Sequence, residues 1–287
     1  MKTILITGSN GQLGNEIRLL SESYSNVYDF IFTDVAELDI TNIDDLHRFF
    51  DYNKIDFIVN CAAYTAVDRA EDDVELCFKI NCDAVENLAK IAVQYNSAII
   101  HISTDYVFDG KNYIPYNETM PVNPASVYGK SKAAGEAILQ EICPEAIIIR
   151  TSWLYSSFGN NFVKTMLRLG KEHPTLNVVF DQIGTPSYAA DLAVAIMKII
   201  DFEKYTAGIY HFSNEGAISW YDFAKSIHRI AEIKTCCLSP IDSKDFPARA
   251  PRPFYSVLNK SKIKQTYNIE IPYWEDSLKV CIEKLLK

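Results

Sequence analysis

Short, nearly all-apolar runs alternate with helical patterns over the first 150 residues of the chain. Such runs are typical of strands that helices cover on both faces, because neither face then meets water. They predict strands at Thr3–Thr7, Phe30–Thr33, Phe57–Asn60, Ala98–Ser103 and Ala146–Ile149. Between them, Leu13, Ile17 and Leu20 have helical spacing, as does the long stretch Val74–Gln94. The alternation predicts βαβ units and a parallel sheet.

Beyond Arg150 this alternation becomes irregular. Thr104–Pro124 and the proline-rich and arginine-rich Ser239–Tyr255 predict loops. Ser219–Glu232 predicts a helix, with Ser219 and Asp222 as its capping box. A last helix is predicted at Trp274–Leu286.

Composition and charge narrow the class of protein. The chain has 287 residues, 48% of them hydrophobic, and a net charge of −9. This acidity, without a basic run, argues against a partner such as a nucleic acid polymer or a membrane surface. No apolar run reaches the roughly 20 residues of a membrane-spanning helix. The seven cysteines form no C-x-x-C pair, so we expect reduced thiols in a cytoplasmic protein.

A glycine motif follows the first predicted strand. Gly8, Gly11 and Gly14 form G-x-x-G-x-x-G ahead of a helix, where a helix N-terminus offers free N–H groups to a pyrophosphate. Asp34 follows Gly14 by 20 residues, at the end of the second strand, where a carboxylate meets the adenosine ribose. The small residues of 60–65 leave room for a dinucleotide. These features predict a dinucleotide site.

Asp34 also bears on coenzyme choice. A carboxylate accepts hydrogen bonds from both ribose hydroxyls of NADH and repels the 2′-phosphate of NADPH. No lysine or arginine lies between Asp34 and Arg48 to neutralise that phosphate. The residues therefore favour NADH.

Tyr128 and Lys132 form a candidate acid–base pair, since residues four apart share one face of a helix. An ammonium next to a phenol lowers the phenol pKa, which makes proton exchange easier. Thr104 follows the fourth predicted strand and can hydrogen-bond a substrate carbonyl. An exposed helix start and an ordinary strand-end cap are the alternatives.

Longer motifs carry a resemblance over almost the whole chain. They are Asn60–Glu71, Ser103–Gly110, Asn123–Lys132, Arg150–Tyr155, Gly159–Phe162 and Arg249–Pro253. Together they resemble the extended short-chain dehydrogenase/reductase superfamily and, within it, the dTDP-4-dehydrorhamnose reductase family. The resemblance implies a Rossmann-type, doubly wound parallel sheet with a smaller, irregular α/β substrate-binding region. It implies an NAD(P)-binding core at 1–150, completed by part of 175–212, and a mainly substrate-binding region at 151–287.

The resemblance also implies an activity and its residues. The C4 keto group of dTDP-4-dehydro-β-L-rhamnose would be reduced by hydride from NADPH or NADH, in rhamnose and surface polysaccharide biosynthesis. The catalytic residues would be Thr104, Tyr128 and Lys132, and the sugar would meet Thr104, Asp105 and Trp153. The cofactor-binding residues would be Gly8, Gly11, Gln12, Leu13, Gly14, Asp34, Asp39, Ile40, Ala62, Ala63, Tyr64, Thr65, Tyr128 and Lys132. Members of the family often accept both coenzymes or favour NADPH. We therefore expect this protein to use both, with a lean toward NADH.

Several alternatives stay open at this point. Dehydratases of the superfamily carry Glu where this chain has Tyr106, which favours simple reduction. Another 4-keto nucleotide sugar, or a non-catalytic regulatory subunit of the methionine adenosyltransferase type, fits the same resemblance. Arg249 and Arg252 could hold a nucleoside diphosphate or lie in a solvated loop. The resemblance also raises Mg²⁺ and a homodimer, but the histidines show no metal spacing, so no ligands are assigned.

Overall fold

A computed structural model describes residues 1–287. Its strands are β1 Lys2–Thr7, β2 Tyr28–Thr33, β3 Phe57–Asn60, β4 Ala98–Thr104, β5 Ile147–Thr151, β6 Leu154–Tyr155, β7 Thr175–Val179, β8 Ile183–Gly184, β9 Ser187–Tyr188, β10 Gly208–His211, β11 Ile218–Ser219 and β12 Cys237–Ile241. Its α-helices are α1 Gln12–Ser21, α2 Ile43–Tyr52, α3 Val67–Ala70, α4 Val74–Phe78, α5 Ala84–Gln94, α6 Val127–Ile142, α7 Phe162–Glu172, α8 Ala189–Asp201, α9 Trp220–Ile230, α10 Ser261–Tyr267 and α11 Trp274–Leu286.

The central sheet has six strands in the order β10-β5-β4-β3-β1-β2, and every pairing is parallel. The predicted parallel sheet is confirmed, and each predicted strand lies within one or two residues of an observed one. The chain order reverses between β1 and β3. In open α/β sheets, ligands bind at such a switch point, outside the carboxyl ends of the strands.

Two apolar layers cover the sheet because successive strand residues point to opposite faces. Ile4 and Ile6 of β1 face a cluster that includes α1 and α8, while Leu5 faces one that includes α2, α5 and α6. All three of these β1 side chains are fully buried. This two-sided burial explains why the strands are continuous apolar runs.

A smaller apolar cluster lies on α7, α9 and α11, after the fifth strand. Helix α9 begins at the predicted capping box, in which Ser219 and Asp222 exchange hydrogen bonds. The short pairs β6·β9, β8·β11 and β7·β12 connect these helices. Their brevity accounts for the irregular sequence pattern of this half.

The prediction of a loop over Ser239–Tyr255 is wrong at its start. Residues 239–241 belong to β12, which pairs in parallel with β7. Pro240 lies within this strand, and the two-stranded sheet leaves β12 with a free edge on which a missing N–H costs little. The proline therefore marked an edge strand.

The stretch Val74–Gln94 is helical as predicted, but it is not one α-helix. A π-helical turn, Lys79–Asp83, separates α4 from α5. The sequence pattern does not reveal the extra residue of this turn, because the apolar positions keep helical spacing on both sides of it. No helix of the protein combines the length and apolarity needed to cross a bilayer.

Candidate active site

A cavity of about 1050 Å³ opens at the switch point of the sheet. Its walls come from the loops after β1, β2, β3, β4 and β5 and from helix α6. Most of the predicted site residues line it: Gly8, Gly11, Gln12, Leu13, Asp34, Asp39, Ile40, Ala62, Ala63, Thr65, Thr104, Asp105, Tyr128, Lys132 and Trp153. One continuous site thus unites segments that are far apart in sequence.

Gly14 and Tyr64 are the two predicted residues that do not line the cavity. A Cβ on Gly14 would lie 2.4 Å from the backbone of Ser9, so this glycine lets α1 pack against the loop before it. The hydroxyl of Tyr64 donates to Asp73 at 2.9 Å. Gly14 and Tyr64 therefore lie behind the cavity wall and support residues that line it.

The glycine loop fits a phosphate group. Gly8 has a φ of +62°, in the left-handed region, and a Cβ there would lie 2.6 Å from the backbone of Ala62. Gly11 is the N-cap of α1 and provides no side chain to its first N–H groups. Free N–H groups at a helix N-terminus are a site for anions.

Asp34 supports this loop. One carboxylate oxygen accepts from the N–H of Asn10 at 3.1 Å and the other from the N–H of Val35 at 2.8 Å. Asp34 is half-buried at the cavity wall. It can still accept hydrogen bonds from a ribose, because each carboxylate oxygen has a second lone pair.

Thr104, the last residue of β4, is hydrogen-bonded to the side chain of Tyr128. Ser126 caps α6 by accepting from the N–H of Gly129 at 3.1 Å. A Cβ on Gly129 would lie 2.3 Å from the carbonyl oxygen of Tyr106, so the glycine allows this close approach. The rings of Tyr106 and Tyr128 consequently meet edge to face at 5.5 Å.

Burial raises the pKa of Tyr128, and a hydrogen bond with Thr104 lowers it. The first effect is larger, so the chain by itself holds the proton on the phenol, contrary to the lowered pKa expected from the sequence. A protonated phenol is the form needed to donate a proton. Burial also raises the pKa of Asp105 to about 7, which brings this carboxyl close to its protonated form at neutral pH.

Lys132 is fully enclosed at the base of the cavity, with 1% of its surface exposed. Its Nζ donates to the carbonyl of Ile102 at 2.7 Å and lies 3.1 Å from Nε2 of His101. Burial lowers the pKa of Lys132 to about 8, while Glu136 and Cys77 act in the opposite direction. Lys132 therefore releases its proton more readily than an ordinary lysine.

Trp153 lies at the cavity wall and stacks on Trp220, with ring centroids 3.5 Å apart. Sequence reasoning did not single out Trp220, because its position fits the apolar stripe of α9. A wall of two indoles suits the apolar face of a sugar.

The structure separates the two arginines that the sequence left open. Arg252 lines the cavity and donates to the hydroxyl of Tyr106 at 3.0 Å and to Asp68 at 2.5 Å. Arg249 pairs with Asp72 at the surface. No group of three or more His, Cys, Asp or Glu is arranged to hold a metal ion.

Comparisons with known proteins agree with this geometry. The family model described as the RmlD substrate binding domain matches residues 1–287. A dTDP-4-dehydrorhamnose reductase of Aggregatibacter actinomycetemcomitans is 44% identical over 288 residues, covering 97% of this chain and 98% of the relative.

Two solved structures are also similar over their full lengths. A dTDP-4-dehydrorhamnose reductase from Clostridium acetobutylicum is 44% identical with a TM-score of 0.94, covering 99% of this chain and 100% of that one. A dTDP-4-dehydrorhamnose reductase from Bacillus anthracis, in complex with NADP, is 40% identical with a TM-score of 0.94 and the same coverage.

Proposed function

The chain belongs to the family of the RmlD substrate binding domain, and from this premise we propose that it is an NAD(P)H-dependent dTDP-4-dehydrorhamnose reductase. It reduces the C4 keto group of dTDP-4-dehydro-β-L-rhamnose to give dTDP-β-L-rhamnose. Two relatives of this name match it at 44% and 37% identity over nearly their whole length. The partner is thus a nucleotide sugar.

One observation carries the assignment to this chain. Thr104, Tyr128 and Lys132 line the same cavity as the glycine loop and Asp34. A coenzyme on that loop would extend toward Tyr128, so hydride donor and proton donor would meet the same carbonyl. A binding module without catalysis does not require this convergence.

When bound, the coenzyme supplies a hydride to the sugar C4. Tyr128 donates its phenolic proton to the carbonyl oxygen, so the C=O group gains one hydride and one proton and becomes an alcohol. Thr104 orients that oxygen through its hydroxyl, which lies in contact with Tyr128. Lys132 would hold the coenzyme ribose and return a proton to Tyr128 between turnovers. General acid catalysis of this kind contributes about 10²–10⁴-fold.

Further parts of the proposal rest on the family alone. Residues 1–150, with β10 from the later half, form the coenzyme-binding part, and 151–287 mainly the substrate-binding part. The protein works in the cytoplasm as a homodimer, and the resemblance to the family adds Mg²⁺ at the interface between the two subunits.

The test is oxidation of NADPH and NADH by the purified protein with dTDP-4-dehydro-β-L-rhamnose and other 4-keto nucleotide sugars. We expect turnover with the rhamnose precursor and a kcat that is about 10²–10⁴-fold lower in Tyr128→Phe, with coenzyme binding retained. Tyr113→Phe is the matched control, since Tyr113 is 88% exposed. Near-normal turnover by Tyr128→Phe would remove Tyr128 from the mechanism, and no turnover by wild type with any of the sugars would refute the reductase.

A further inference from the structure

A row of buried polar side chains crosses the sheet beneath Lys132. Thr7, Asn60 and His101 are direct register neighbours on β1, β3 and β4. The hydroxyl of Thr7 donates to Oδ1 of Asn60 at 2.7 Å, and Nδ2 of Asn60 lies 3.0 Å from Nδ1 of His101. Nε2 of His101 is 3.1 Å from Nζ of Lys132. Asn60 and His101 have no exposed surface, so water does not satisfy these groups.

The hydrogen bonds fix the orientation of the Asn60 amide. The backbone N–H of Ala62 donates to Oδ1 of Asn60 at 3.1 Å. A backbone N–H cannot accept a hydrogen bond, so the oxygen of the amide must face Ala62. The NH₂ group of Asn60 must then face His101.

This orientation determines which nitrogen of His101 carries the proton. Because the NH₂ group of Asn60 only donates, Nδ1 of His101 has to accept. Burial lowers the pKa of His101 well below its usual range, and an ammonium form of Lys132 lowers it further. The imidazole is therefore neutral, and its single N–H lies on Nε2, aimed at Lys132.

An ammonium group also only donates, so it conflicts with the N–H of His101. A neutral amine resolves the conflict, since it accepts from Nε2 of His101 and still donates to the carbonyl of Ile102. We propose that Asn60 and His101 are positioning residues for Lys132: the Asn60 amide locks His101 in the Nε2–H tautomer, which orients Lys132 and favours its neutral form. The inference deepens the proposed reductase and rests on it for its use in catalysis.

Two other groups around Lys132, Glu136 and Cys77, raise its pKa and so oppose the effect of His101. The titratable groups that face it are Glu136 on its own helix, Cys77 of α4 and His101 of β4. Glu136 favours the ammonium form, but it is held by Arg150 in a buried ion pair at 2.6 Å. The lowered pKa of Lys132, about 8, agrees with the hydrogen-bond directions.

The consequence for the reaction is a Lys132 whose pKa, about 8, lies closer to neutral pH than that of an ordinary lysine. An ordinary lysine, with a pKa near 10.4, would release its proton poorly at that pH. Proton transfer is most efficient when the pKa of the catalytic group lies near the working pH. Asn60 and His101 would thus help Lys132 to reprotonate Tyr128 after each turnover.

The direct test is ¹⁵N NMR of the ligand-free protein with labelled histidine, with His101 identified by its loss in His101→Gln. We expect a neutral His101 protonated at Nε2 throughout the neutral range. Asn60→Asp should invert the tautomer, because a carboxylate accepts from Nδ1–H while still serving Thr7 and Ala62. Asn60→Ala removes the lock without adding charge, and should give a mixture of tautomers. An Nδ1–H tautomer in wild type would overturn the proposal.

Titration of labelled lysine side chains supplies the second readout. In Asn60→Asp the Lys132 midpoint should rise by about one pH unit or more, since both the tautomer and the new charge favour ammonium. In Asn60→Ala it should rise by less, and an unchanged midpoint in both variants would overturn the proposal. Thr7→Val is the matched control, because the N–H of Ala62 still orients the amide and the tautomer should be unchanged.

Activity separates this proposal from the proposed function. Both NMR measurements need neither substrate nor coenzyme, so they hold even if the protein fails to reduce a sugar. If it does reduce one, the limb of the kcat pH profile that belongs to Lys132 should move upward in Asn60→Asp, in step with the NMR midpoint. A limb that stays in place while the midpoint moves would remove Lys132 titration from the catalytic step.

Discussion

The charge of Asp34 is the residue-scale feature that we expect to influence coenzyme choice. Its carboxylate supports the glycine loop through Asn10 and faces the cavity. Lys79, from the π-helical turn, lines the same cavity and brings a cation that the sequence next to Asp34 lacks. We therefore expect wild type to use both coenzymes, with a modest lean toward NADH.

Asp34→Asn should raise the ratio of kcat/KM for NADPH to that for NADH. Two unit charges about 4 Å apart in water interact by about 1 kcal/mol, so we expect a shift of about fivefold. Steady-state kinetics with both coenzymes measure it. Glu37→Gln is the control, since Glu37 is a neighbouring exposed carboxylate outside the cavity. If both variants shift the ratio equally, Asp34 does not face the ribose.

Trp153 is the second residue whose role can be separated by mutation. Trp153→Ala should raise the KM for the nucleotide sugar about tenfold to a hundredfold. The variant loses the contact between the indole and the sugar, which contributes at most a few kcal/mol, about 1–3, to binding. The melting temperature should fall little, since Trp153 is half-buried. Trp274→Ala provides the contrast: Trp274 is 4% exposed, so its loss should lower the melting temperature and leave KM unchanged. A Trp153→Ala variant that melts as early as Trp274→Ala would place Trp153 in the core.

At the scale of elements, the backbones of the π-helical turn and of α6 are in direct contact. Asn81, in this turn, holds Tyr64 through two hydrogen bonds and also donates to Ser131 of α6. A Cβ on Gly135 would lie 2.1 Å from the carbonyl oxygen of Asn81. The π-helical turn thus fixes the position of α6, the helix that carries Tyr128 and Lys132.

Gly135→Ala should therefore destabilise the protein, although alanine favours helices. Forcing a methyl group into a packed interface costs about 1–3 kcal/mol, and each kcal/mol lowers the melting temperature of a domain this large by about 2–4 °C. Thermal unfolding measures the loss. Ala137→Ser, at an exposed position of the same helix, should change little. A Gly135→Ala variant as stable as wild type would mean that the turn yields.

These elements show what the sequence could and could not predict. The sequence could predict that Gly8, Asp34 and Tyr128 line one site, because each belongs to a motif with local spacing around a single strand or helix. The π-helical turn was missed because its apolar positions continue the helical pattern. His101 lies within an apolar strand, and its meaning depends on Asn60, 41 positions away. Arg252 meets Tyr106 across 146 positions, which no local pattern reveals.

At the scale of the whole molecule, buried neutral histidines make folding depend on pH. Burial lowers the pKa of His211 to about 3 and lowers those of His101 and His228. Asp105 acts in the opposite sense, because its folded pKa of about 7 lies above the usual value of an aspartate. Its contribution is complete at low pH and is lost as the pH rises through 7.

The three histidines outweigh Asp105, so the free energy of unfolding should fall as the pH drops from 7 toward 5. Below about pH 6.5 the histidines of the unfolded chain are protonated, whereas the folded protein keeps them neutral. Protons must then be released on folding, which lowers the free energy of unfolding. Each such histidine contributes up to about 1.4 kcal/mol per pH unit. Urea unfolding at pH 7, 6 and 5 measures the slope, and His211→Gln should reduce it relative to the exposed-site variant His173→Gln. A slope unchanged by His211→Gln would show that His211 is protonated in the folded protein.

The contact between Gly8 and Ala62 has a consequence for anyone redesigning this enzyme. The turn after the first strand touches the turn after the third, with no space for even a methyl group between their backbones. A phosphate loop transplanted from another dehydrogenase would bring its own curvature and collide with the resident neighbour. The two turns are therefore one module for protein engineering, and homologous donors should contribute residues 8–14 and 61–65 together.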